Sequence, residues 1–170
     1  MYTTKGIKHK VISLLKDFKT NNVYTICEQL NISILTHPLG NANGFLQYYK
    51  EQDVYLIHIN NDLEEKDFII AHELGHYFLH KTLNTFRISN CSTALEDKLE
   101  HQADIFATEL LLTDEMVMNA YPQIQSWSLE QAATFYKLPI TAIQYKYSQM
   151  QLLSKKRTEN RSNNYFNLAF

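Results

Sequence analysis

His72-Glu73-Leu74-Gly75-His76 constrains this chain more than any other stretch. The pattern H-E-x-x-H does chemistry only as part of a helix. There, residues four apart share a face and stand about 6 Å apart along the axis. Two imidazoles so spaced can turn nitrogens toward one metal ion. Glu73, rotated by about 100° from His72, is near enough to hold an attacking water. Whatever the fold, it must carry a helix through His76 and open one face of that helix to a cleft. Five residues also match by chance, so the flanking sequence decides.

The flanks agree with a helix. Asp62 with Glu65 three residues later predicts an N-terminus with a capping pair. From there the chain runs to about His80 through Phe68, Ile69, Ile70, Ala71, Leu74, Tyr77, Phe78 and Leu79, apolar nearly all round. Such a helix belongs in the centre of a fold. Upstream, Ile7, Val11, Leu14, Leu15 and Phe18 predict a helix over 4–18, and 23–30 a second, short one. Ile32 to Leu35 predicts a strand. Gly44 to Tyr49 and Val54 to Ile59, joined by Lys50 to Asp53, predict a β-hairpin. Downstream, residues 81–93 read as a loop and 95–112 as a long helix with Leu99, Ala103, Phe106, Ala107, Leu110 and Leu111 inward. Ser128 and Gln131 form a capping box opening a helix to Tyr136, and Pro139 starts a last helix to about Leu153.

With 170 residues and 45% apolar content, the chain is expected to form one domain, 1–153, with a sizeable core. Residues 154–170 turn basic and polar and are expected to be a disordered tail. The net charge of −2 gives no case for nucleic-acid or anionic-membrane binding. No apolar run approaches the roughly 18 residues that span a bilayer. Cys27 and Cys91 form no C-x-x-C pair and read as reduced thiols of a cytoplasmic protein.

A catalytic zinc usually has three protein ligands. His80 continues the His72, His76 row, but it stands eight residues from His72, about 12 Å along the axis, beyond the reach of bonds near 2 Å. A metzincin would need glycine at position 79 and histidine at 82, where this chain has Leu79 and Thr82. Glu100, on the following helix, is the better third ligand. Asp104, one turn later, could accept the outer N–H of a ligand histidine and fix its tautomer. The plainer alternative makes Glu100 and Asp104 ordinary solvated residues of an amphipathic helix. His101 points about 100° away from Glu100 and stays outside the site.

His72 to His80, followed by Glu100-His101-Gln102-Ala103-Asp104-Ile105-Phe106-Ala107-Thr108-Glu109-Leu110-Leu111, resembles the two signatures of the ImmA/IrrE metallopeptidases. The likeness extends to about Gln149 and is strongest toward the short members found in phages and integrative elements. It implies an α+β, thermolysin-like (gluzincin) zinc-peptidase fold, with a small antiparallel sheet packed on the central H-E-x-x-H helix and a mostly helical C-terminal half. It also implies one Zn2+ ion, Glu100 as third ligand, and cleavage of a phage-type helix-turn-helix repressor that silences a mobile element. One departure stands out: the family often has methionine and proline after Glu-Leu-Leu, whereas here Leu112 leads into Thr113-Asp114.

The expected chemistry is metal-assisted peptide hydrolysis, with Glu73 as general base. The Phe45–Tyr49 strand is the candidate edge for an extended substrate, and His80 and His58 are candidates to stabilise the oxyanion. The expected partner is a protein substrate, with no membrane and no direct nucleic-acid contact. Two rivals remain. One is a non-cleaving protein that binds the repressor around a structural zinc. The other is a DNA-binding regulator, since 128–147 loosely resembles a helix-turn-helix, although its second helix offers only Lys146 as a cation.

Overall fold

The helix through His76 exists, and the rest of the N-terminal part is built around it. The structure, a computed structural model, describes residues 1–63, 65–81 and 93–152. Its elements in chain order are α1 (Thr4–Phe18), α2 (Val23–Gln29), β1 (Ile32–His37), β2 (Gly44–Tyr49), β3 (Val54–Asn60), α3 (Lys66–His80), α4 (Thr93–Leu111), α5 (Asp114–Ile124), α6 (Leu129–Tyr136) and α7 (Ile140–Gln149). They fall into two compact units, Met1–Leu111 and Leu112–Phe170. Residues 82–92 of the loop expected over 81–93, with Cys91, and the tail expected over 154–170 lie outside the described residues.

In the first unit, α1 forms where Ile7, Val11 and Leu14 make one buried stripe, capped by the Thr3 hydroxyl accepting from the Gly6 N–H. The α2 helix opens on Asn22, whose side chain accepts from the Thr25 N–H, and Cys27 on its inner face is a buried free thiol. Three strands form one α+β sheet, in the order β1-β3-β2. The β2–β3 hairpin is antiparallel, with Leu46 opposite Ile57. Asp53 closes its connection at φ 52, a left-handed conformation Asp tolerates, and its carboxylate accepts from the Tyr48 hydroxyl at 2.7 Å. The expectation of a wholly antiparallel sheet is corrected here: β1 pairs with β3 in parallel, Ile34 beside Ile57. The chain reverses once between β1 and β2 and again between β2 and β3, so β3 returns parallel to β1. As the strand with the deepest residues, Ile57 and Ile59, it lies between the other two.

The α3 helix starts later than expected. Asn60 accepts the Asp62 N–H at 3.3 Å in an Asx-type turn, and the Asn61 N–H is taken by the His37 carbonyl. Those bonds hold 60–62 to the sheet, so the helix begins at Lys66 with Glu65 as a cap that makes no side-chain bond, not at an Asp62–Glu65 pair. Phe68, Ile70, Ala71, Leu74 and Leu79 are buried, as a central helix requires. Each of the larger ones contributes about 1.5–3 kcal/mol by leaving water.

The contact between α3 and α4 positions the site. At Gly75, an added Cβ would lie 3.0 Å from the Ala103 Cα, 3.2 Å from its carbonyl oxygen and 3.2 Å from the Phe106 Cβ. The glycine inside H-E-x-x-H therefore lets the α4 backbone approach the motif directly. Gly75→Ala sets a gain of roughly 1 kcal/mol in helix propensity against overpacking of about 1–3 kcal/mol. Two of the atoms in the way are backbone and the third is a Cβ fixed to it, so none can swing aside; we expect a lower melting temperature in a thermal unfolding scan, and an unchanged or raised one would show that α4 does not press on α3 here.

The second unit contains a helix the sequence pattern did not announce. Thr113, at the point of departure from the family pattern, accepts from the Met116 N–H and caps α5, whose first turn carries Asp114 and Glu115. The Ser128–Gln131 capping box forms with both bonds, at 3.3 and 2.9 Å. On α7, Lys146 is fully buried, with its ammonium 2.7 Å from Asp114. No helix among the described residues is long and apolar enough to cross a membrane.

Candidate metal centre

His72 and His76 stand one turn apart on α3, and α4 brings Glu100 up to both. The His72 Nε2 lies 3.1 Å from the His76 Nε2 and 3.1 Å from the Glu100 Oε2. The second carboxylate oxygen, Oε1, is 3.2 Å from the His76 Nε2. A zinc ion with bonds of about 2.0–2.2 Å in tetrahedral geometry separates its donors by about 3.3–3.6 Å. The observed triangle is slightly tighter than that spacing, and the set of two imidazoles and one carboxylate suits such an ion. Among the described residues these are the three His, Cys, Asp or Glu side chains grouped so that they could hold a metal.

The surroundings favour positive charge at this point. Asp104 accepts from the His72 Nδ1 at 2.9 Å, which leaves the His72 Nε2 facing Glu100 and His76. Burial works against an imidazolium at His72. Its hydrogen bonds to Asp104 and Glu100, with the charge of Glu73, outweigh that and hold it up to about 10. Hydrogen bonds from both histidines drive the Glu100 carboxyl well below the usual carboxylate range. A cation held here would meet the Nε2 atoms of both imidazoles and the carboxylate of Glu100 in place of those hydrogens.

Glu73 lies on the next face of α3, 6% exposed. Burial pushes its carboxyl up, against the pull of the two histidines and of a hydrogen bond from the Leu46 backbone on β2. The same strand comes close at Gly44, where an added Cβ would be 2.6 Å from the Ile69 side chain, 2.8 Å from the His58 carbonyl oxygen and 3.9 Å from the Glu73 Oε1. Only a residue without a Cβ fits there, so β2, an edge of the sheet, passes directly beside Glu73.

The remaining predicted residues are held elsewhere. His80 is buried at the end of α3, bonded through Nδ1 to His76 and through Nε2 to Gln102. His58, on β3, is bonded to His37 at 2.9 Å and to Gln47 at 2.9 Å, with Phe45 stacked on its ring. Both nitrogens of each ring are therefore committed, and neither histidine presents a free N–H for an oxyanion. The neighbours that sequence reasoning did not pick out are Leu46, Gly44 and Gln102. Gln102 gave one retrievable signal, a polar residue on the inward side of α4, where it is buried.

Comparison with known proteins gives the family. Residues 27–148 match the profile of the IrrE N-terminal-like domain of the M78 peptidases. The chain is 56% identical over 156 residues to Metallopeptidase ImmA of Bacillus subtilis (strain 168), covering 92% of both proteins. It is 37% identical over 112 residues to the uncharacterized immunity region protein 2 of Bacillus phage phi105, covering 65% of this chain and 71% of that one. A solved Mycobacterium tuberculosis transcriptional regulator shares the fold at a TM-score of 0.57 and 14% identity, covering 84% of this chain and 46% of that one. The chain belongs to the M78 family of metallopeptidases, the ImmA/IrrE family that its motifs resemble.

Proposed function

We propose that this chain is a gluzincin-type zinc endopeptidase that cuts a helix-turn-helix repressor and so relieves silencing of a mobile element, acting in the cytoplasm. The observation that carries the reading is the convergence of His72, His76 and Glu100 at 3.1–3.2 Å beside the buried Glu73. His72, His76 and Glu100 would hold the ion. When bound, zinc lowers the pKa of water and polarises a carbonyl. Glu73 takes the proton of the attacking water and delivers it to the leaving amine. The Leu46 backbone bond keeps the Glu73 carboxylate oriented for this. The substrate lies extended along β2, whose outer edge runs past Glu73. Neither His58 nor His80 receives the oxyanion role, because their ring nitrogens are already bonded. The family match spans parts of both compact units, which supports 1–153 as one functional peptidase domain.

Asp104 holds His72 in the tautomer that leaves Nε2 free. Loss of such an outer partner typically weakens metal binding roughly 10–100-fold, so we expect Asp104→Ala to show that loss in a zinc competition titration. Wild-type affinity in this variant would remove Asp104 from the centre.

The DNA-binding rival loses the one cation its second helix offered. Lys146, the one cation on the second helix of the α6–α7 pair, is buried against Asp114 and is not displayed to phosphates. The sequestering rival is separated by products. Incubated with the repressor encoded beside it, the protein should yield two fragments that vanish with chelator and return with zinc; a stable uncut complex would favour sequestration.

A further inference from the structure

We propose that His80 and Gln102 are positioning residues: a buried relay that decides which nitrogen of His76 is free to bind the metal. The inference rests on the metal-centre reading above. Its starting point lies outside the site, at the backbone carbonyl of Tyr2. That oxygen can only accept, and the Gln102 Nε2 lies 3.1 Å from it. The Gln102 side-chain amide is thereby oriented, with its NH2 toward Tyr2 and its oxygen toward His80.

The rest follows bond by bond. The Gln102 Oε1 is 3.1 Å from the His80 Nε2, so the His80 Nε2 must carry the hydrogen. A neutral His80 protonated there has a lone pair on Nδ1. The His80 Nδ1 is 3.1 Å from the His76 Nδ1, so His76 must donate from Nδ1. A neutral His76 then keeps its lone pair on Nε2, which faces His72 and Glu100. Four groups pointing one way, from Tyr2 through Gln102 and His80 to His76, give the ligand atom that zinc requires. His80 and Gln102 are 1% and 4% exposed, so water cannot substitute for either partner.

The two ligand histidines are thus oriented by different means. His72 uses the exposed carboxylate of Asp104, and His76 uses a neutral, buried chain anchored ahead of α1. A neutral partner makes geometric sense on the inner side: a second carboxylate there would be a buried charge beside Glu73 and Glu100.

Long-range 1H–15N NMR of the full chain, metal-free and zinc-loaded, tests the relay. We expect His80 to carry its hydrogen on Nε2 and His76 on Nδ1 in both states; a His80 protonated on Nδ1 would overturn the proposal. Zinc affinity by competition titration gives a second readout. His80→Leu and Gln102→Leu should each bind zinc roughly 10–100-fold more weakly. His80→Asn places an amide oxygen near the position of Nδ1 and should recover most of that loss. Equal losses in the Leu and Asn variants would reduce His80 to packing and sink the relay. If tautomers and affinities follow the expectation while no variant and no wild-type protein cuts the repressor, the relay stands and the peptidase reading falls.

Discussion

Glu73→Gln is expected to bind zinc as the wild type does and to lose cleavage by about 10²–10⁴-fold, the usual contribution of a positioned general base. The glutamine keeps the size of the side chain and can still accept from the Leu46 backbone, so the local packing survives. It cannot take a proton from water. Glu73 is not one of the three side chains of the ligand triangle, which is why metal content should not move. The comparison is one of rate at matched zinc occupancy. A variant that cut at the wild-type rate would remove Glu73 from the mechanism.

Removing Glu100 should have the other large effect, on binding. Its two oxygens meet both ligand histidines, one at 3.1 Å and one at 3.2 Å. Without it only two ligands remain, both on one helix. Glu100→Ala should therefore weaken zinc binding by more than the roughly 10–100-fold that follows loss of an outer hydrogen-bond partner, and activity should fall with occupancy. The variant also leaves His72 and His76 without their shared counter-charge, so a far-UV circular dichroism spectrum confirms that α3 persists. Zinc retained at wild-type affinity would mean that a residue other than Glu100 completes the centre.

Much of the site was readable because its spacing is local. The i, i+4 relation of His72 and His76 follows from the helix repeat alone, and Glu100 with Asp104 repeats it on α4. The same locality made the Thr4–Phe18 helix, the β2–β3 hairpin and the Ser128 capping box readable. What could not be read depends on partners far apart in the chain. The parallel pairing of β1 with β3 is set by where the chain returns, not by the residues of β1. The late start of α3 follows from Asn60 bonding Asp62 and from His37 reaching Asn61. Helix α5 was overlooked because only Val117 and Ile124 in it are buried, too sparse a stripe for a period to show. Gln102 became meaningful only with its partners in place, His80 on one side and Tyr2, a hundred positions earlier, on the other.

The close approach at Gly75 connects the motif to the fold. Read as a pattern, the residue between Leu74 and His76 is an unconstrained x. In the structure it is where α4 touches α3, and that contact carries Glu100 to the histidines.

Hydrolysis of a peptide bond at the His72–His76–Glu100 centre is tested most directly by mass spectrometry of the repressor after incubation with zinc-loaded protein in 18O-labelled water. One cut is expected, with 18O in the new C-terminal carboxylate, absent with chelator and absent with Glu73→Gln. An intact repressor under these conditions, or fragments formed equally by the Glu73→Gln protein, would contradict it.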